Sequence, residues 1–520
     1  MSRSFENVGE SHADFLRDES RRFGAAVSIS FPTSESEAAQ DIAAARALGR
    51  KVTVQGARTG ITAGAVPDGG HILNLGRLNK VLGMAPDLSG DEWLLRVQPG
   101  VILSDLRKAI STGCFDTGDW TPESVQALER FREGPEHFFP PDPTETSASI
   151  GGMAACNASG AQSLMYGPMR PHVVAARLIL SDGSILDIAR GRERCRGRAF
   201  QARTISGRII AGSLPCYEMP RVKNAAGYYS KDDMDLLDLF IGSDGTLGVF
   251  SELTVRLIPA PPARWGIMAF LPAEDGVAAL VARAKSAHCR PAAMEFFDGH
   301  ALDLLRRQKE ACPEFAGIPE LPAAARAALY VEYHGTDELA VEAAAGSFAE
   351  LLADFGTSDD NTWLASDRRE LQRLKDLRHA IPEAVNLLID ERRKTEPALT
   401  KLGTDLAVPD AALGEMLRMY HRDLGVAGLD FVVFGHIGDN HLHVNILPRT
   451  LDDYRRGREL YLAWARTAVA LGGTVAAEHG IGKLKKEMLK VMYGEAGIAE
   501  MRRVRALFDP DGMLGSGNLF

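Results

Sequence analysis

Apolar and polar positions alternate most clearly between residues 431 and 446. Residues 431–434 form an apolar run that reads as a buried strand. The next residues are Gly435-His436-Ile437-Gly438-Asp439-Asn440, and a period of two begins at His441. That period puts His441, His443 and Asn445 on one face and Leu442, Val444 and Ile446 on the other. A face with two imidazoles is costly to bury without partners, so it is expected to line a cavity. Three histidines beside a Gly-Asp turn favour a ligand cluster over a strand end satisfied by hydrogen bonds.

The rest of the chain alternates between the same two periods. Strands are predicted at 27–31, 51–54, 72–74, 93–97, 172–180, 185–188 and 251–258, and the pair around Ser181-Asp182-Gly183-Ser184 reads as a hairpin. A helix runs from Pro32-Thr33-Ser34 to Ala47 with acidic residues in its first turn, and another is expected over 100–110. Residues 1–24 read as a polar helical lead-in. Residues 119–137 read as an irregular insertion, and the arginine-rich 190–208 as a solvated excursion or an anionic partner's surface. After Pro259-Ala260-Pro261-Pro262, the best linker, strands at 265–270, 293–297, 327–334 and 405–408 alternate with helices. The helices lie at 275–287, 301–308, 339–355, 367–392 and 453–470. The expected class is α+β, with an antiparallel sheet covered on one side in the second half.

At 520 residues the chain exceeds one ordinary core. The divisions predicted are a lead-in (1–24), a first domain of two lobes (25–262), a second domain (263–482) and a C-terminal segment that returns to the first (483–520). A net charge of −10, with no long basic run, argues against nucleic-acid binding. The six cysteines never occur as Cys-x-x-Cys, which argues against an iron–sulfur cluster or structural zinc made from this chain and suits a reducing compartment. Neither a secretory signal nor a membrane-spanning run is read, so the expected location is cytoplasmic, with peripheral attachment to the inner membrane face left open.

Three small-residue segments stand out in the first half. Gln55-Gly56-Ala57-Arg58-Thr59-Gly60-Ile61-Thr62-Ala63-Gly64 follows a strand, and its amides suit phosphate oxygens, although a plain tight connection is an equal reading. It has neither the Gly-x-Gly-x-x-Gly of a dinucleotide Rossmann unit nor a P-loop's Gly-Lys-Ser/Thr. Pro140-Pro141-Asp142-Pro143-Thr144 leads into the tiny side chains of 149–160, where a flat, bulky group could lie against backbone. Lys223-Asn224-Ala225-Ala226-Gly227-Tyr228 pairs with 241–249. Near the C-terminus stands Glu478-His479-Gly480-Ile481-Gly482.

This ordered set resembles the FAD-dependent oxidoreductases of the vanillyl-alcohol oxidase superfamily, which carry a PCMH-type FAD domain. The similar branch is that of D-lactate dehydrogenase, the glycolate oxidase large subunit and D-2-hydroxyglutarate dehydrogenase, and the match runs from about residue 25 to 520. The resemblance implies a two-lobed FAD-binding domain, an α+β substrate (cap) domain, and oxidation of a D-2-hydroxy acid to the 2-oxo acid by hydride transfer to flavin N5. Gln55, Gly56, Ala57, Arg58, Thr59, Gly60 and Gly64 would then hold the FAD pyrophosphate. Pro141, Asp142, Thr144, Ser149, Gly152, Asn157 and Ser159 would surround the isoalloxazine and ribityl chain, with Ile241, Gly245 and Val249 near the adenine end. The first loop lacks the histidine that binds FAD covalently in some relatives, so non-covalent FAD is implied. His436, His443 and Glu478 would ligate a divalent metal, zinc by ligand type. His479 would be the base, and Arg378, Lys401 and Asn445 would contact substrate.

Two departures from the family pattern matter. Its turn reads Gly-Asp-Gly-Asn where this chain has Gly438-Asp439-Asn440-His441, so His441 is an extra imidazole, outer partner or alternative ligand. Dicarboxylate-binding relatives carry a lysine where Gly403 stands, which tilts the expectation toward a small monocarboxylate such as lactate or glycolate. The implied partner is an external acceptor: a cytochrome, a quinone, an electron-transferring flavoprotein or an iron–sulfur protein. A homodimer is compatible with this. The competing readings are a flavin transferase like alkylglycerone-phosphate synthase, and a flavoprotein subunit of a larger electron-transfer complex.

Overall fold

The computed structural model describes residues 5–287, 290–315 and 317–520. It has the mixed α+β character expected, built on three main sheets and a separate hairpin. The first sheet pairs Ser28–Ser30 and Val52–Gln55, both parallel, with His71–Asn74 between them, and Glu6–Asn7 adds antiparallel at one edge. Helix Glu35–Ala47 forms the crossover; Ser34 caps it by accepting from the Glu37 amide, and Ala38, Ile42 and Ala45 are buried. The second sheet is antiparallel and centres on the long strand Val249–Pro259, flanked by Trp93–Val97 and Val173–Ile179. The period-two pattern of that strand buries Leu253, Val255 and Leu257.

Three expectations are corrected here. Residues 119–137 are not irregular: helix Pro122–Glu133 starts at a Thr121 cap with proline at its first position. Its charged residues face out, while Ala127, Leu128 and Phe131 are buried. The arginine-rich stretch contains a hairpin, Ala199–Arg203 with Ile209–Ser213, whose Phe200, Ala202 and Ile210 are buried. Arg190, Arg192 and Arg198 pair with Asp238, Asp187 and Asp232, while Arg194, Arg196 and Arg203 are exposed as expected. The described residues of the lead-in form the edge strand, a 3-10 helix, Glu10–Leu16, and a bridge between Arg17 and Phe23 in place of the expected α-helix.

The third sheet is antiparallel throughout, ordered Thr362–Ala365, Ala263–Leu271, Ala327–Gly335, Ala293–Asp298, Phe431–His436, His441–Ile446 and Leu402–Gly403, with Leu406–Ala407 also pairing His441–Ile446. Two helices that the sequence reading missed complete the chain, Leu413–Ala427 and Lys486–Phe508, the latter kinked at Gly494. The last segment lies on the first part of the chain. The Val52 amide donates to the Met513 carbonyl at 2.7 Å, and Phe508 stacks on Phe200 at 5.8 Å. The five cysteines described are free thiols. Among the described residues, no helix is long and apolar enough to cross a membrane.

Candidate active site

The hairpin Phe431–His436 and His441–Ile446 pairs His436 with His441 and Phe434 with His443, which brings the three imidazoles to one end of the sheet. Their centroids lie 4.4 to 5.4 Å apart. Gly435 is required there: at φ 130° its Cβ would stand 2.8 Å from the His443 ring. Asn440 turns the chain in the left-handed region, at φ 52°.

Glu478 reaches this cluster from the segment after Ala477. Its Oε1 lies 3.2 Å from His436 Nε2, 3.4 Å from His443 Nε2 and 3.3 Å from His479 Nε2. The other oxygen accepts from the Lys223 ammonium at 2.9 Å and the Ser159 hydroxyl at 3.3 Å. Behind the ring of ligands stands a second layer of acceptors. Glu295 binds His436 Nδ1 and accepts from Arg378 Nε at 2.9 Å. The Thr404 carbonyl lies 3.2 Å from His443 Nδ1. Asp405 touches His441 Nε2 at 2.9 Å and His479 Nδ1 at 3.3 Å, takes the Lys485 ammonium, and accepts from the amides of Glu478 and His479 at 3.3 and 3.2 Å.

Charge is balanced within this buried group. Burial would raise the Glu478 carboxyl, but Lys223 and His436 hold it well below the carboxylate range. Asp405 is likewise held well down against burial, by Lys485 and His479. Burial opposes the His436 cation, yet Glu295 and Glu478 on either side push its pKa up to about 9. Glu295 is drawn down to about 2, against burial, by Arg378 and His436. His441 is pushed to about 3 by burial and by His443, and is therefore a neutral imidazole.

The donor set fits a divalent cation. His436, His441, His443 and Glu478 each offer one ligand atom, all within 4.8 Å of one another. The spacing of Glu478 Oε1 from two imidazole nitrogens, 3.2 and 3.4 Å, is that of two donors sharing one ion with bonds of about 2.1 Å. The Nδ1 of the fully buried His441 makes no hydrogen bond.

The other predicted residues fall into two groups. Thr144 lies 3.5 Å from Arg378, and Ser159 meets Glu478, so both border the histidine cluster. Asn445 donates to the His443 carbonyl and lies opposite Gly403 on the next strand. Lys401 donates to Asn386 at 3.0 Å. Gln55 braces the first loop through the carbonyls of Phe15 and Ala65. Ser149 accepts from the Ala57 and Gly152 amides. Pro141 and Asp142 hold Arg107, and the Asn157 carboxamide oxygen accepts from the Arg170 amide. Ile241 accepts from Arg170, Gly245 turns the chain at φ 71°, and Val249 opens the central strand. The amides of residues 58–64 donate to no acceptor among the described residues, although Thr62 and Ala63 are buried. Pyrophosphate oxygens would satisfy them.

Lys223, Glu295, Asp405 and Lys485 were missed as site residues. Glu295 did leave a signal, a lone carboxylate in the otherwise apolar run 292–297. Asp405 stands at the start of the apolar run 406–408.

Residues 260–519 match the model of the C-terminal domain of FAD linked oxidases, and residues 28–121 and 122–189 match an FAD binding domain. The chain belongs to the FAD-linked oxidases. Similar family members include the D-2-hydroxyglutarate dehydrogenase of Xanthomonas citri pv. viticola, 29% identical over 95% of this chain and 89% of its own. The D-lactate dehydrogenase of Anaerostipes hadrus is 28% identical over 98% and 93%, and the glycolate oxidase subunit GlcD of Bacillus subtilis 27% over 90% and 83%. An alkyldihydroxyacetonephosphate synthase structure shares the fold with a TM-score of 0.58 at 14% identity, covering 95% of this FAD-linked oxidase and 76% of the other chain.

Proposed function

We propose that this FAD-linked oxidase converts a D-2-hydroxy acid to the 2-oxo acid. One observation carries the reading: His479 is held at Nδ1 by the buried Asp405 carboxylate, while its Nε2 faces the Glu478–imidazole cluster. An imidazole whose Nδ1–H is directed to a carboxylate keeps Nε2 as an acceptor, and the Asp405 charge stabilises the imidazolium formed when that nitrogen takes a proton. His479 accordingly removes the 2-hydroxyl proton at Nε2 as the C2–H bond breaks. Arg378, fixed by Glu295 through Nε, would offer its terminal nitrogens, one of which meets the Thr144 hydroxyl at 3.5 Å, to the substrate carboxylate. Asn445 offers a further hydrogen bond beside it. FAD, when bound, would supply the two-electron acceptor for the C2 hydride, which leaves a C2=O bond on the product. His436, His443 and Glu478 would hold a divalent ion, which would supply Lewis acidity toward the 2-hydroxyl.

The acid is expected to be a small monocarboxylate, because Gly403 presents no side chain beside Asn445 where a second cation would be needed. The test is anaerobic titration of the purified holoprotein with D-lactate, glycolate and D-2-hydroxyglutarate. Bleaching of the oxidised flavin band by one of these is the expected result, and an unchanged band with all three would overturn the proposal. His479→Ala should still bind FAD but show no such bleaching.

A further inference from the structure

We propose that His441 is a direct ligand of the same ion, so that the chain offers three imidazoles and one carboxylate. The inference rests on the metal reading above and adds a residue to it. Four observations carry it.

His441 is wholly buried, and its Nδ1 makes no hydrogen bond. Such a side chain is rare in a native interior, since an unmet buried polar atom costs about 1–3 kcal/mol. Its Nδ1 faces the site, 3.9 Å from Glu478 Oε2, and its donor atom belongs to the same group of four as those of His436 and His443. Its ring is also close to the two expected ligands, 4.4 Å from His443 and 5.4 Å from His436. Finally, the far nitrogen of each of the three rings meets an acceptor: His436 Nδ1 meets Glu295, His443 Nδ1 meets the Thr404 carbonyl at 3.2 Å, and His441 Nε2 meets Asp405 at 2.9 Å. Metal-bound histidines have this outer contact almost without exception, because it fixes the tautomer and raises the basicity of the ligating nitrogen. His441 has the pattern of a ligand and of nothing else nearby.

A chemical consequence follows for the ion. Four protein donors fill a tetrahedral site, so chelation of a 2-hydroxy acid through two oxygens needs an ion that accepts six positions. Among ions that accept six positions, iron, cobalt and nickel suit a nitrogen-rich site of this kind.

The experiment uses the full chain with bound flavin, stripped with a chelator and reloaded with Co(II). X-ray absorption counts the coordinated imidazoles, and competition with a chelating dye gives the affinity, for wild type, His441→Asn and His441→Gln. Three imidazoles in wild type and two in the variants, with affinity down by about a hundredfold or more, is the expected result. Flavin content and the thermal midpoint of the stripped proteins show that the variants fold. If they do not, the wild-type imidazole count decides alone: three supports the proposal and two overturns it. Two imidazoles in all three proteins removes His441 as a ligand while leaving the metal reading intact. A wild type that takes up no Co(II) overturns both.

Discussion

Asp405→Asn tests the centre most directly. The side chain keeps its shape and loses its charge, and Asp405 has five partners to lose it to: the Lys485 ammonium, the amides of Glu478 and His479, and the rings of His441 and His479. Lys485 is about one-tenth exposed, so the substitution strands a nearly buried cation. Breaking such a pair costs about 3–5 kcal/mol. A chain of 520 residues unfolding with ~2.1 cal/mol/K per residue loses about 1 °C of midpoint per kcal/mol, so a fall of roughly 3–5 °C is expected. The rate effect has a different origin. An asparagine presents its NH2 or its oxygen to His479 Nδ1 without the charge that stabilises the imidazolium, and flavin reduction should slow by about 10²–10⁴-fold. The double variant Asp405→Asn/Lys485→Met separates the two effects: it removes the stranded cation and should recover most of the midpoint but none of the rate. Anaerobic stopped-flow on the oxidised-flavin band reads the rate, and calorimetry reads the midpoint. A single variant that reduces its flavin within about threefold of wild type, against the expected loss, would refute the role given to Asp405. Recovery of rate in the double variant would show that Lys485, not His479, was the path of the effect.

Two further outcomes concern the first domain. His71, enclosed by the hydroxyls of Ser28 and Ser30 at 2.9 Å each, has its pKa pushed down to about 4 by burial and by Arg50. The unfolded chain therefore binds more protons than the folded one between pH 4 and 6.5; stability is full above that window and falls as pH drops through it, by about 3 kcal/mol in all. His71→Gln should flatten that part of the midpoint–pH curve, and parallel curves for the two proteins would remove His71 as the cause. Gly160→Ala would set a Cβ 1.5 Å from the Asp142 carbonyl oxygen, a backbone collision that only movement of the 157–160 loop relieves, at a cost on the order of 3 kcal/mol. Lowered flavin content on purification is expected, and stoichiometric flavin at an unchanged midpoint would sink the claim.

Local patterns reached far into this fold where one residue's neighbours in sequence are also its neighbours in space. The period of two from His441 to Ile446 and the Ser34 cap are cases of that kind, and both elements are where the pattern put them. Helix Pro122–Glu133 was hidden because three of its twelve residues are acidic and two are arginine, which masks the Ala127, Leu128 and Phe131 stripe. The hairpin Ala199–Arg203 was hidden in the same way, its arginines drawing attention from Phe200 and Ile210. In the site, adjacency in sequence misleads: Glu478 and His479 point to one centre because a turn bends the chain there, not because of any period. Glu295 reaches His436 only because its strand pairs Phe296 with Gly435, 139 residues away by number, and no local pattern carries that. The fold class and the family were thus legible, while the outer layer of acceptors that orients the imidazoles depends on strand order and was not.

The return of the C-terminal segment has a consequence for how the molecule is made. Lys483 donates to the carbonyls of Ala63 and Gly64, Asn518 donates to Gly64 and to Asp244, and Asp244 in turn accepts from the amides of Ile481 and Gly482. The loop that starts at Gln55 is therefore fastened by residues translated more than four hundred positions later. At about 5–20 residues per second the nascent chain waits on the order of half a minute or longer before that fastening exists. The sheet around His71–Asn74 can form early, but its loop stays unbraced on the ribosome. Flavin capture is then a late event in biosynthesis, and a nascent chain stalled before residue 483 would carry a folded first half that holds its cofactor weakly.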